Sequence, residues 1–274
     1  MGKRRLFCEI SPLTFFLSVQ KERYKRNLQD FLSKPKFAET KGDDCLPVVV
    51  YRHNSLIRRK LGNVDQQLQE NKAVNLALAA PHVDRILLRP NETFSFWHVM
   101  GNCSKAKGYK DGLMIAVDQA TQGSGGGMCQ FTNLLHWLVL HSPLDIIEEH
   151  HHNQFDLFPD DDRQVPFGCG TSIVYNYLDY RVKNNTTNTF QFLITVSPTH
   201  LCGELRSAQP IDHCYEVVEE NHCFVQREGI YYRRNKIYRN TIESQTRSII
   251  EKRLIVESDA KVMYDHSFIP QPLS

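Results

Sequence analysis

The stretch Gly123-Ser124-Gly125-Gly126-Gly127-Met128-Cys129-Gln130 puts a glycine-rich turn directly before an apolar, periodic segment. Phe131, Leu134, Leu135 and Leu138 recur at helical spacing, and Pro143 closes the pattern. The chain must therefore start a helix from a loop almost devoid of side chains. Glycines permit a sharp turn there and a close approach to a ligand. Cys129 falls at the helix N-terminus, where free N–H groups and the helix dipole favour thiolate over thiol. A cysteine so placed is a candidate nucleophile, and Glu148-Glu149-His150-His151-His152 supplies imidazoles that can act as its base. The competing reading is a buried structural cysteine after a flexible turn.

At 274 residues the chain is long enough for one large domain or two small ones around a real core. Its residues are 41% hydrophobic and 23% charged, which is ordinary for a soluble globular protein. A formal net charge of +2 excludes a molecule built to coat nucleic acid, and no nucleic-acid partner is expected. The charge is uneven. Residues 1–36 hold nine Lys or Arg against Glu9, Glu22 and Asp30. That balance suits peripheral contact with an anionic membrane surface or with phosphates, and equally a solvated basic helix. Lys3, Arg4 and Arg5 begin like a signal peptide, but Glu9 and Pro12 interrupt the apolar run. No run is long enough to cross a bilayer, so the expected location is cytoplasmic, with membrane contact at most peripheral. None of the eight cysteines forms a CxxC pair, so free thiols are expected, with no structural zinc and no cofactor.

Residues 20–33 read as an amphipathic helix, and 64–80 as a second helix stopped by Pro81. Short strands are expected at 47–51 and 113–117, and Ile86 to Leu88 leads into a segment whose Phe94 and Phe96 share one face of an extended chain. After the histidines β-rich runs follow at 171–177, 178–182 and 190–196, then further short strands from about residue 210. The fold class is α+β: N-terminal helices and a glycine-rich loop lead into a central cysteine helix packed on a mainly antiparallel sheet built after residue 145. Three regions result: a basic helical segment 1–69, a central domain 70–197, and a β-rich C-terminal extension 198–274.

Pro90-Asn91-Glu92-Thr93-Phe94-Ser95-Phe96, Gly101, Gly108-Tyr109, Gly125-Gly126-Gly127-Met128-Cys129-Gln130, Glu148, His150, His152 and Leu178-Asp179 together resemble the VanW domain in order and spacing. The resemblance covers about residues 70–197. It implies an accessory role in glycopeptide (vancomycin) resistance, with a biochemical role that the family leaves open. Many relatives are exported and carry peptidoglycan-binding modules, and this sequence shows neither feature. One departure stands out: Gly170 occupies a position where the family usually has Asp, so no catalytic role passes to that position.

The order of cysteine helix, short strand and histidine is similar to transglutaminase and papain-like thiol enzymes, an analogy of arrangement only. On an alternating strand His150 and His152 share a face and His151 points away. The site expected is Cys129 as nucleophile, His150 or His152 as base, and N–H groups around Gly127 to Gln130 for an oxyanion. Gly125, Gly126, Gly127 and Gln130 would bind substrate. The orienting third group stays open among Asp179, Asn176 and Asn153. A zinc site of His150, His152 and Cys129 with Glu148 nearby is a rival reading, but His-x-His pairs are common without metal and none is expected. Two functions follow: thiol-dependent acyl transfer or hydrolysis on a peptide or peptidoglycan precursor, or a non-catalytic module binding a cell-wall peptide or glycan. Asp160-Asp161-Asp162 reads as a solvated loop, and Phe94, Phe96 and Trp97 as core.

Overall fold

The computed structural model describes residues 6–58, 65–116, 119–151, 154–160 and 163–269. In chain order these form α1 (Pro12–Ser33), β1 (Val48–Leu56), α2 (Gln66–Val83), β2 (Leu87–Leu88), β3 (Thr93–Ser95), α3 (Phe96–Met100), β4 (Asp111–Ala116), β5 (Gln119–Ser124) and α4 (Met128–Leu140). Strands then take over: β6 (Asp145–Glu148), β7 (Phe155–Asp156), β8 (Arg181–Lys183), β9 (Phe190–Val196), β10 (His200–Ser207), β11 (His213–Arg227), β12 (Ile230–Glu243) and β13 (Ile249–Val262). The sheets run in the orders β1-β10-β9-β2, β3-β8-β6, β4-β5 and β11-β12-β13-β7. Among these named strands only the short β13–β7 pair is parallel. The class is α+β, as the sequence suggests.

Local chemistry moves several boundaries. Pro12, which reads as a break in an apolar run, is the first residue of α1. Ser11 and Thr14 form a reciprocal cap across it: Thr14 N–H donates to Ser11 Oγ at 3.2 Å, and Ser11 N–H to Thr14 Oγ1 at 2.9 Å. Helix α2 continues past Pro81 to Val83, with the Asp84 N–H donating to Ala80 O at 2.9 Å. Burial of Ala79, Ala80 and Val83 holds that last turn in the core. The extended segment at Phe94 stops at Ser95, which caps α3, so Phe96 is helical and not on the same strand. Both rings are still core: Phe94 packs on Phe192 at 5.1 Å and Phe96 on Phe131 at 5.6 Å. Residues 171–177, β-rich in composition, give only an isolated bridge from Val174 to Leu178.

Helix α4 lies between two layers. Leu134 and Leu138 join the main core with Leu76, Phe192 and Leu205. Trp137 and Leu140 face the other way, onto Ile237 and Val256 of the long C-terminal meander. Gly203 on β10 makes the close approach possible, because a Cβ there would lie 2.9 Å from Leu138 Cδ1 and 3.0 Å from Leu134 Cδ2. Among the described residues no helix is long and apolar enough to cross a membrane.

Gly203→Val should overpack this contact and lower stability by about 1–3 kcal/mol. The urea midpoint reports it, and an unchanged midpoint would mean that β10 does not press on α4.

Candidate functional site

Helix α4 starts without a side-chain cap, from Gly127 at φ +109°. The glycines before it are filled in by the protein's own chain. A Cβ on Gly126 would fall 2.3 Å from the Gly112 carbonyl carbon, and one on Gly127 would meet Lys72 Cγ at 2.6 Å. Gln130 turns away from the loop and donates from Nε2 to Ser55 Oγ and Leu56 O, both at 2.9 Å. The loop therefore sets the position of Cys129 by backbone packing.

One face of α4 carries Cys129, Thr132, Asn133 and His136, spaced at single helical turns. Residues 169–173 run across it. Thr132 Oγ1 lies 2.6 Å from Thr171 Oγ1, and Asn133 Oδ1 accepts from Thr171 N–H at 2.6 Å. Burial pushes the Cys129 thiol above its ordinary pKa, and hydrogen bonds from Ile173 N–H and its own N–H offset this only partly. The helix start alone predicts the opposite sign; desolvation outweighs it. All eight cysteines are free thiols.

His150 is tied to this face through its backbone, its carbonyl accepting from Ser172 N–H at 2.6 Å. Its ring is paired with Glu148 Oε1 at 3.1 Å. Glu148 also accepts from Arg26 through both guanidinium NH groups and from Asp179 N–H at 2.9 Å. Burial works against its charge, but His150, Asp179 N–H and Arg26 hold the carboxyl down at about 2. Asp179 takes N–H bonds from Trp97 at 3.0 Å and Tyr180 at 2.8 Å, and Arg181 Nε donates to it at 2.8 Å. Arg181 reaches on to Asp30 of α1 at 2.6 and 2.7 Å. Of the other candidate orienting groups, Asn176 pairs with Asn27 at 2.9 Å. His152, Asn153, Asp161 and Asp162 lie outside the described residues. Asp160 is bound by Arg233 at 2.9 and 2.6 Å.

Beyond Thr171 the same face carries a second polar cluster that sequence reasoning passed over. His136 is 0% exposed, with Nδ1 3.4 Å from Glu149 Oε2. His151 Nε2 lies 3.6 Å from the same oxygen, and its Nδ1 donates to Gly170 O at 2.8 Å. A carbonyl only accepts, so Nδ1 carries the proton. Tyr180 closes the cluster, its ring 5.7 Å from His136. Burial drives His136 down to about 4. Burial opposes charge on His151 too, but Glu149 and the Gly170 carbonyl raise it. The signal for His136 is its i+7 spacing from Cys129, masked by the apolar Leu134, Leu135, Trp137 and Leu138 around it. Among the described residues no group of three or more His, Cys, Asp or Glu is disposed to hold a metal ion.

A family model described as VanW like protein matches residues 71–206. The vancomycin B-type resistance protein VanW of Enterococcus faecalis is 32% identical over 228 residues, which span 83% of this chain and 82% of that protein. The uncharacterized protein YoaR of Bacillus subtilis is 30% identical over 115 residues, 42% of this chain and 36% of its own length. No solved structure matches.

His136, near 4 when folded and about 6.5 when unfolded, binds fewer protons in the native state between those values. Stability should therefore fall as pH drops from about 6.5 toward 4, by on the order of 3 kcal/mol for this group. His141, also held near 4 by burial, adds in the same direction. His151 has the opposite sign, but its contribution is lost only as pH rises above 6.5, through its raised pKa. His136→Leu should flatten the urea midpoint against pH between about 6.5 and 5 by roughly one proton. An unaltered slope would show that His136 is not buried neutral.

Proposed function

The chain belongs to the VanW family, and from that premise we propose that it is an accessory protein of VanB-type glycopeptide resistance, acting as a binding module for a cell-wall peptide or glycan. The observation that carries this reading is the state of Cys129. The His150 ring is paired with Glu148 and held in the Arg26 network, while burial pushes the half-buried Cys129 thiol up in pKa. A nucleophilic cysteine needs the reverse: a lowered pKa and an imidazole within hydrogen-bond reach.

Thiol-dependent acyl transfer or hydrolysis on a peptidoglycan precursor is the second reading. It is favoured by one feature, the place of Cys129 in the first turn of α4, where free backbone N–H groups work against the effect of burial on the thiol. Such donors favour the thiolate, the form that attacks an acyl carbon. In that reading Cys129 attacks and His150 or His152 takes the proton.

Alkylation at neutral pH and complementation separate the two. The binding reading expects Cys129 to react more slowly than the exposed Cys45, Cys214 and Cys223, and Cys129→Ser to retain resistance. Faster alkylation of Cys129 together with loss of resistance in Cys129→Ser would replace it with the thiol enzyme.

A further inference from the structure

We propose that the outer face of α1 is a membrane-binding surface that seats the protein flat on an anionic lipid bilayer. An ordinary surface helix turns its apolar stripe to the core and its polar face to water. Helix α1 does the opposite. Its inward face is polar: Arg23 Nε donates to Tyr175 O at 3.1 Å, Arg26 binds Glu148, and Asp30 accepts from Arg181 at 2.6 and 2.7 Å. The helix contributes no buried residue at all.

The outward face is apolar. Leu13, Leu17, Tyr24, Leu28 and Phe31 fall within an arc of about 60° at 3.6 residues per turn. They are 66%, 48%, 71%, 44% and 73% exposed. Phe15 and Phe16, also more than half exposed, lie off this arc. A stripe of this length left in water is a binding surface or a liability.

Charge decides the occupant. Lys21, Lys25 and Lys34 are exposed along and just past the helix. Of the two acids on α1, Asp30 is already neutralised by Arg181 and Glu22 lies 4.0 Å from Lys21, which leaves Lys25 and Lys34 as the positive excess. A second copy would bring the same excess of positive charge against itself, whereas anionic headgroups complement it. Lysine stems can lie along the apolar stripe with the ammonium groups among the headgroups, and Tyr24 suits the interface. Lys21 through Arg26 make α1 too polar to cross the bilayer, so it lies in the plane of the surface.

Co-sedimentation of the full chain with vesicles tests this, using phosphatidylcholine alone and phosphatidylcholine with about one-third phosphatidylglycerol. Binding should be roughly tenfold or more stronger on the anionic vesicles and should weaken with added salt. Lys21→Glu/Lys25→Glu should lose roughly fivefold per lysine. Leu13→Ser/Tyr24→Ser/Phe31→Ser should abolish binding with an unchanged urea midpoint, because these side chains touch little of the fold. Equal binding to both vesicle types, or binding indifferent to both variants, would overturn the proposal. So would a lipid-free dimer that the triple substitution converts to a monomer, since the stripe would then belong to a second copy.

Discussion

Burial of α4 on nearly every face is the condition to which the other elements answer. Ten of its thirteen residues are buried, so the helix has no broad polar side to show to water. Such a helix must be covered by separate layers, and the β9–β10 sheet and the β11–β13 meander supply them from opposite sides. Close cover in turn demands missing side chains. Gly203 lets β10 approach Leu134 and Leu138, and Gly126 lets the helix entrance rest directly on the Gly112 backbone. The glycine loop is thus the geometric entry condition for a helix enclosed in protein, whatever chemistry Cys129 performs.

The three α4 residues that keep partial exposure, Cys129, Gln130 and Asn133, cluster near its first turns. This is where the candidate site meets the surface. Further along, His136 is wholly enclosed and shares one carboxylate oxygen with His151. The site is therefore graded in polarity along the helix. A partly exposed thiol lies at one end, a hydroxyl pair at Thr132 and Thr171 in the middle, and the Glu149 carboxylate with His136 and His151 at the other. The Glu148 network stands beside it and fastens α1 to the same body.

Much of this was readable from the residues. The period of Phe131, Leu134, Leu135 and Leu138 gave the helix, and Phe190 to Val196 gave β9 with its observed limits. The failures share a physical origin: side chains that satisfy the backbone from a distance in sequence. Pro12 became a helix start because Ser11 and Thr14 cap it. Residues 171–177 lost their expected strand because Asn133 and His150 use the backbone polar groups that a sheet would have paired. Desolvation of Cys129 depends on what packs over it, which no local pattern encodes. His136 was invisible for a related reason. Nothing in the helix sequence signals that Glu149 comes to lie 3.4 Å from its ring.

The parallel pairing of β7 with β13 has a consequence for the order in which the molecule is made. Phe155 pairs with Lys261 and Asp156 with Val262, while Arg233 of β12 holds Asp156 and Asp160. The segment from Phe155 to Asp160 is thus fastened by strands synthesised much later. Contacts of such wide sequence separation close slowly, after local helices and hairpins have formed. On a growing chain the β9–β10 hairpin precedes the meander, and α4 waits half-covered with Trp137 and Leu140 unprotected. The nascent protein passes through a stage whose sticky surface is the future interior of its own site, a stage at which chaperone capture and aggregation compete.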